Sequence, residues 1–336
     1  MIRSYIRHGI ILIKISIKIN IYVFNLIFPD NMSGKIMTMK EAIHKYVNDG
    51  ETVYAGGFTH LLPFAAGHEI IRQQKRNLTL ARATPDLIYD QMIGAGCAKK
   101  VIFSWAGNPG VGSLRCFRRA FEKGIPNNID IEEYSHFGMS ARLYAGASGL
   151  PFMILRNYMG SDIPTGNENI KTVKSPYGDE ILHTVPALNP DVAIIHAQRA
   201  DEEGNVQIWG VTGVQKEAVF ASLKVIVSVE EIVDSDVIRS DPNRTLIPSF
   251  KVDAIVEESF GAHPSYTQGY YDRDNEFYVA WDKISKDEES FRKYLEEWVY
   301  GVENREEYVK KLGKDKIEKL MPGKNYSKPV NYGDYR

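Results

Sequence analysis

Gly56 and Gly57 are the residues best placed by type and spacing to do chemistry, at the end of the run Asp49-Gly50-Glu51-Thr52-Val53-Tyr54-Ala55-Gly56-Gly57-Phe58-Thr59. Thr52 to Ala55 have the composition of a short buried strand, and two glycines after it permit positive φ angles and close backbone approach. A helix read over residues 63–74, with Ile70 and Ile71 inward, follows the turn, so unbonded backbone N–H groups gather there. Such a nest holds a carboxylate, a phosphate or a developing oxyanion. Gly56, Gly57, Phe58 and Thr59 are therefore the candidate oxyanion and substrate loop, with the titratable ring of His60 beside it. A glycine pair is equally the mark of a purely structural tight turn. No catalytic carboxylate accompanies this one.

Other polar groups fall at the ends of neighbouring strands, where a doubly wound sheet places its ligands. Arg82 is a candidate carboxylate clamp, because a guanidinium engages both oxygens of an acid; pairing with Asp86 is the structural alternative. Ser104 and Asn108 follow the next strand in Ser104-Trp105-Ala106-Gly107-Asn108. Glu132, Glu133, Ser135 and His136 close another. A carboxylate near a histidine suits acid-base work, but alternation sends Glu132 and Glu133 to opposite faces and makes Ser135 a helix cap, which favours a structural role. His136 stays a substrate-binding candidate. Asp201 to Asn205 form a polar hairpin loop. A metal centre is unsupported, because the histidines are scattered and no His-Glu-His or clustered carboxylate spacing occurs, and neither a complete GxGxxG nor a Walker loop is present.

The elements that must position these groups alternate. A helix capped by Thr38 is read over residues 39–47, then strands over 52–55, 78–82, 101–105, 129–134 and 152–155, with helices over 86–94, 113–123 and 135–147. A looser stretch covers 160–179. Strands resume over 192–196, 206–209, 225–229 and 254–256, with a helix at 214–222. This order predicts an α/β fold, an open doubly wound and mainly parallel sheet. Residues 287–300 form an amphipathic helix whose stripe of Phe291, Tyr294, Leu295 and Trp298 predicts a packing arm.

With 43% hydrophobic and 25% charged residues, the chain has the composition of an ordinary globular protein, and its net charge of −2 gives no bulk pull toward nucleic acid or anionic membrane. Cys97 and Cys116 fit a reducing cytoplasm. Residues 1–31, rich in Ile, Lys and Asn, are read as translated upstream sequence, with Met32, Met37 or Met39 as the start; a genuine extension is the alternative. Their apolar runs are too short for a membrane span. The division expected is 1–31 as extension, 32–284 as the α/β domain, 285–323 as a helical arm and 324–336 as a polar tail.

Together with the glycine turn, the segments Arg199-Ala200-Asp201, Gly204-Asn205, Leu150-Pro151-Phe152, Gly160-Ser161-Asp162 and Val252-Asp253-Ala254-Ile255-Val256 resemble the A subunit of family I coenzyme A transferases, and within it the glutaconate CoA-transferase branch. The resemblance covers residues 39–312. It implies a sheet of the CoA-transferase type and a B subunit of similar fold. It also implies that the nucleophilic glutamate lies on that partner and that an acyl-CoA and a small dicarboxylic or 3-oxo acid are substrates, with no permanently bound cofactor. Two departures stand out. Thr59-His60-Leu61-Leu62-Pro63 lacks the family's further glycine and carries no Lys or Arg. A ring-cleaving hydrolase branch has a glutamate before its Gly-Met pair, whereas His136-Phe137 precede Gly138-Met139 here, which favours transfer. The alternatives are a subunit of an acyl-CoA hydrolase and a non-catalytic CoA- or acid-binding subunit.

Overall fold

Val53 and Ala55 of strand β1 (Thr52–Ala55) pack into one apolar core, while Tyr54 points into another. The same alternation recurs in β2 (Leu78–Ala81), where Leu78 and Leu80 face the first core and Ala81 the second. A sheet whose strands bury both faces is covered by helices on both sides. The computed structural model describes residues 34–323, and the chain divides into Met1–Lys35 and Ile36–Arg336. The expectations for 1–31 and 324–336 lie outside the described residues.

On the first face lie α1 (Met39–Tyr46), α2 (Phe64–Arg72), α3 (Leu87–Gly94) and α4 (Arg115–Lys123). Thr38 caps α1 reciprocally with Glu41, as a capping box does. The second face carries α5 (His136–Ala147) and α6 (Gln215–Ala221), which contribute Met139, Ala141, Leu143, Ala218 and Val219. Strands β3 (Ala98–Phe103) and β4 (Asp130–Glu133) continue the parallel sheet outward from β2. On the other side β1 pairs with β8 (Val192–Asp201), which pairs with β10 (Lys224–Val233), which pairs with β12 (Ala254–Glu257), all parallel. The parallel order is therefore β4-β3-β2-β1-β8-β10-β12. Winding reverses between β1 and β8. The crevice outside their carboxyl ends is where an open α/β sheet binds ligands.

Four features differ from the pattern-based expectation. Residues 152–155 form β5 (Phe152–Leu155) outside the main sheet, in an antiparallel trio with β7 (Ile181–Pro186) and β6 (Lys171–Lys174), the last lying in the stretch read as loose. Composition gives a strand's existence but not its partner, and Phe152 and Ile154 stay exposed here. Second, β8 runs to Asp201 rather than stopping at 196, and β10 to Val233. The polar residues that read as the end of β8, His196 and Gln198, are buried and hydrogen-bonded inside it. Third, after the 201–205 turn, β9 (Val206–Gln207) returns antiparallel on β8 and pairs with β11 (Thr245–Ile247). Fourth, the helix read over 287–300 is α9 (Glu288–Leu295) followed by a π turn, Glu296–Tyr300.

The C-terminal arm completes the first face. A short α7 (Ser235–Ser240) follows β10, and α8 (Asn275–Ile284), α9, α10 (Arg305–Leu312) and α11 (Lys314–Leu320) end the described chain. Phe291, Tyr294 and Leu295 are buried with Trp281 and Met92, so the aromatic stripe packs on its own α/β body. Among the described residues, no helix is long and apolar enough to cross a membrane.

Candidate active site

The glycine turn leaves β1 where β8 loses its neighbour. Gly56 donates its N–H to Ile194 O at 2.7 Å, and the next strand pairing on that side of β8 is Arg199 with Gln207 of β9. Within that gap the backbone takes left-handed φ values at Gly57 (92°), Thr59 (56°) and Leu61 (58°). A β-branched residue there is strained, by roughly 1–2 kcal/mol. Two contacts hold it: Ser265 Oγ donates to Thr59 O at 2.8 Å, and Leu61 N–H to Tyr266 O at 3.0 Å. The Phe58 N–H folds back to His60 O. Neither the Gly57 amide nor the Gly56 carbonyl has a hydrogen-bond partner among the described residues, although both glycines are buried. A strained turn with a spare buried donor is what binding of a substrate oxygen requires.

His60 is the pin of this turn. Its ring is wholly buried; Nδ1 donates to Val211 O at 3.0 Å, which leaves Nε2 to accept the Gln268 N–H at 3.0 Å. Both nitrogens are committed, so the ring ties three loops together instead of reaching a ligand. Tyr266 lies against it at 4.6 Å between centroids. Burial drives its pKa down to about 4 from the ordinary 6.5, and the bond to Val211 offsets this only in part. A folded pKa below the unfolded one means that the unfolded chain binds the extra proton, so stability is full above pH 6.5 and falls as pH drops toward 4. The expected loss from this ring is on the order of 2–3 kcal/mol at pH 4. Urea titrations at pH 7.5 and 4.5 will show it as a wider gap between midpoints for the native chain than for His60→Gln.

Around the pin stand two loops that residue types alone did not single out. Residues 208–214 approach so closely that a Cβ on Gly213 would lie 3.0 Å from Phe58 Cβ, and one on Gly210 would lie 3.0 Å from His60 Cε1. Glycines in Trp209-Gly210-Val211-Thr212-Gly213 after a strand were the available signal. Residues 259–271 are anchored from below by Glu230. Its carboxylate accepts from Phe260 N–H at 2.8 Å, Tyr271 OH at 2.6 Å and Thr267 Oγ1 at 3.1 Å, and meets His196 Nε2 at 2.7 Å. Burial would raise its pKa, but the bonds from His196, Tyr271 and Phe260 hold it below the usual value. Gln215, at the start of α6, lies beneath Gly56 with its side chain fully buried.

The remaining candidates make no hydrogen bond to the turn, although Arg82 lies over the Tyr89 ring whose hydroxyl meets the Ala55 backbone. Arg82 is buried and pairs with Asp86 through two 3.4 Å contacts, so of its two readings the structural one describes this state. Ser104 Oγ donates to Ala83 O at 2.6 Å, and Asn108 Nδ2 to Tyr278 O at 2.7 Å; both brace the loop after β3. His136 opens α5 exposed, beyond β4. Three strand spacings, about 14 Å, separate β4 from β1. Glu132 is bound by Lys100, Tyr134 and Arg142; burial opposes these bonds, yet its pKa stays low, so it is an ionised anchor. A cavity of about 600 Å³ lies between α1, α2, the end of β12 and α10, and one of about 380 Å³ among the C-terminal helices; neither is lined by a residue of the turn. The turn forms an open rim instead, with Phe58 and Val211 roughly two-fifths exposed. No group of three or more His, Cys, Asp or Glu among the described residues could hold a metal ion.

A doubly wound sheet and a glycine turn whose Gly57 amide has no partner among the described residues, at the switch point, have the geometry that suits an acyl or anionic group. Residues 36–258 match the family model of Coenzyme A transferase, and the chain belongs to that family of transferases. It is 51% identical over 283 residues to the A subunit of 3-oxoadipate CoA-transferase from Pseudomonas knackmussii, covering 84% of this chain and 100% of the relative. It is 36% identical over 314 residues to the A subunit of glutaconate CoA-transferase from Acidaminococcus fermentans, covering 87% and 97%. The crystal structure of glutaconate coenzyme A-transferase from that organism superposes with a TM-score of 0.81, over 86% of this chain and 96% of the other.

Proposed function

We propose that this chain is the A subunit of a heteromeric CoA-transferase that moves CoA between an acyl-CoA and a small 3-oxo dicarboxylic acid, and that it acts in the cytoplasm. The observation that carries the reading is the Gly57 amide, buried, at positive φ and without a hydrogen-bond partner among the described residues, at the switch point. Substrate class rests on the 51% identical relative, whose name specifies 3-oxoadipate. On the B subunit, a glutamate carboxylate attacks the thioester carbonyl; the C–S bond breaks, CoA thiolate leaves and a mixed anhydride forms. The thiolate then attacks the glutamyl carbonyl, releasing the first acid and leaving a glutamyl-CoA thioester. A second acid reverses both steps and departs as the new acyl-CoA. Each tetrahedral intermediate carries an oxyanion, and the Gly56–Thr59 turn donates to it.

The hydrolase alternative has less support. The residue before Gly138 is Phe137, largely exposed, and neither it nor the exposed His136 is a glutamate. The co-purified A–B complex, incubated with acyl-CoA and then borohydride, should carry the modification on one glutamate of the partner and none on this chain. Labelling of Glu132 or Glu133 overturns the assignment, as does full transfer activity in the purified chain alone.

A further inference from the structure

Gln215 is the only buried side chain among the described residues with two unpartnered polar atoms: its relative exposure is 0%, and neither Oε1 nor Nε2 has a hydrogen bond. An apolar side chain of the same length would fill this space without leaving two polar atoms desolvated and unpaired, so for folding alone a glutamine is the wrong choice. Its place in the fold supplies the reason. Oε1 lies 3.2 Å from the point a Cβ on Gly56 would occupy, a point bounded also by Ile195 Cγ2 at 2.8 Å and Ile194 O at 3.3 Å. On the adjoining Gly56–Gly57 peptide, the carbonyl and the N–H also have no hydrogen-bond partner among the described residues. One carboxamide and one neighbouring peptide each keep a donor and an acceptor unspent at the switch point.

We infer that Gln215 is a positioning residue that sets the orientation of the Gly56–Gly57 peptide. When a substrate oxygen takes the Gly57 N–H, Gln215 Nε2–H donates to the Gly56 carbonyl and holds the peptide plane so that its N–H stays aimed outward. An amide serves this because it brings a donor to the carbonyl, which an apolar side chain of the same length cannot do. The glycine at 57, already at positive φ, permits the small rotation that brings the two together. The inference rests on the CoA-transfer reading above.

The test uses the A–B complex and the variants Gln215→Met and Gln215→Glu. Met keeps the length and removes the polar atoms. It should leave the unfolding midpoint unchanged or higher, leave the KM for acyl-CoA within twofold and lower kcat by about 10- to 100-fold, less than removal of an oxyanion donor itself. Glu donates only when protonated, so its kcat should rise as pH falls through the carboxyl's titration, a limb absent from the native enzyme. Native kcat in the Met variant, or parallel pH profiles for Glu and native complexes, overturns the role. If the native complex itself transfers no CoA, it is the functional reading that fails, and the two failures are distinct.

Discussion

Gly57→Ala should abolish CoA transfer by the A–B complex, with kcat down at least about 100-fold, the loss expected when an oxyanion donor is removed. Two effects act together. Residue 57 has φ 92°, a region an L side chain rarely enters, and its Cβ would fall 2.5 Å from His60 O, 2.7 Å from Leu61 O and 2.7 Å from Leu62 Cδ2. Two of those three atoms are backbone, so the turn must move rather than a rotamer. Strain and overpacking should lower stability by about 2–4 kcal/mol. Gly56→Ala is the comparison: its φ is not positive, and its one contact under 3.0 Å is with Ile195 Cγ2, although Gln215 Oε1 at 3.2 Å and Ile194 O at 3.3 Å also crowd it. Without the φ strain and the two backbone clashes, the alanine at 56 should cost less stability than the alanine at 57. Stopped-flow transfer assays and denaturant midpoints on both variants decide it, and activity within threefold of native for Gly57→Ala would sink the proposal that this amide holds the oxyanion.

Glu230→Ala should be the most destabilising single change around the site, by about 3–5 kcal/mol, the range for stripping one partner from a buried charged network. The loss falls on three donors at once. His196 Nε2, Tyr271 OH and the Phe260 amide lose their acceptor in a buried region, while Thr267 keeps the Tyr271 hydroxyl at 2.9 Å. For a chain of this size the melting temperature should drop by roughly 5–15 °C. Glu230→Gln should fall between the two, since its amide keeps one acceptor oxygen but turns an NH₂ toward groups that also donate. Because residues 260–271 supply Tyr266 and Gln268 to the pin at His60, both variants should also flatten the acid limb of stability that His60 produces. Calorimetry across pH 4.5–7.5 measures both effects, and a Glu230→Ala midpoint within 2 °C of native contradicts the anchoring role.

Much of the architecture is legible residue by residue because it is local. Thr52–Ala55 and Phe152–Leu155 have the strand bounds their apolar and β-branched runs predict, and Thr38 caps its helix as its type and the Glu41 three residues on require. Sheet membership is not local. β5 looks like its predecessors in sequence, yet joins a separate antiparallel trio, because pairing depends on segments thirty residues downstream. Burial of polar groups misleads in the opposite sense: His196 and Gln198 look like a strand end until Ser228, Glu230 and Trp209 are seen to satisfy them. The site divides along the same line. The glycine turn announces itself by composition, whereas the loops at 208–214 and 259–271 matter only because β8 lies beside β1, a fact of strand order. Gln215 is invisible in sequence for that reason; what marks it is a pair of unmet hydrogen bonds.

The commitment of both His60 nitrogens has a consequence for how such a protein can change over generations. Donor, ring and acceptor come from segments about 150 and 208 positions apart along the chain. Because the ring's partners are the Val211 carbonyl and the Gln268 N–H, a foreign loop is tolerated where it keeps that backbone path and strands a buried imidazole edge where its length or path differs. Novel substrate preferences would then arise chiefly by point changes on the outward rim, at Phe58 or Val211, and the backbone paths of the three segments would be inherited together despite their distance in the gene.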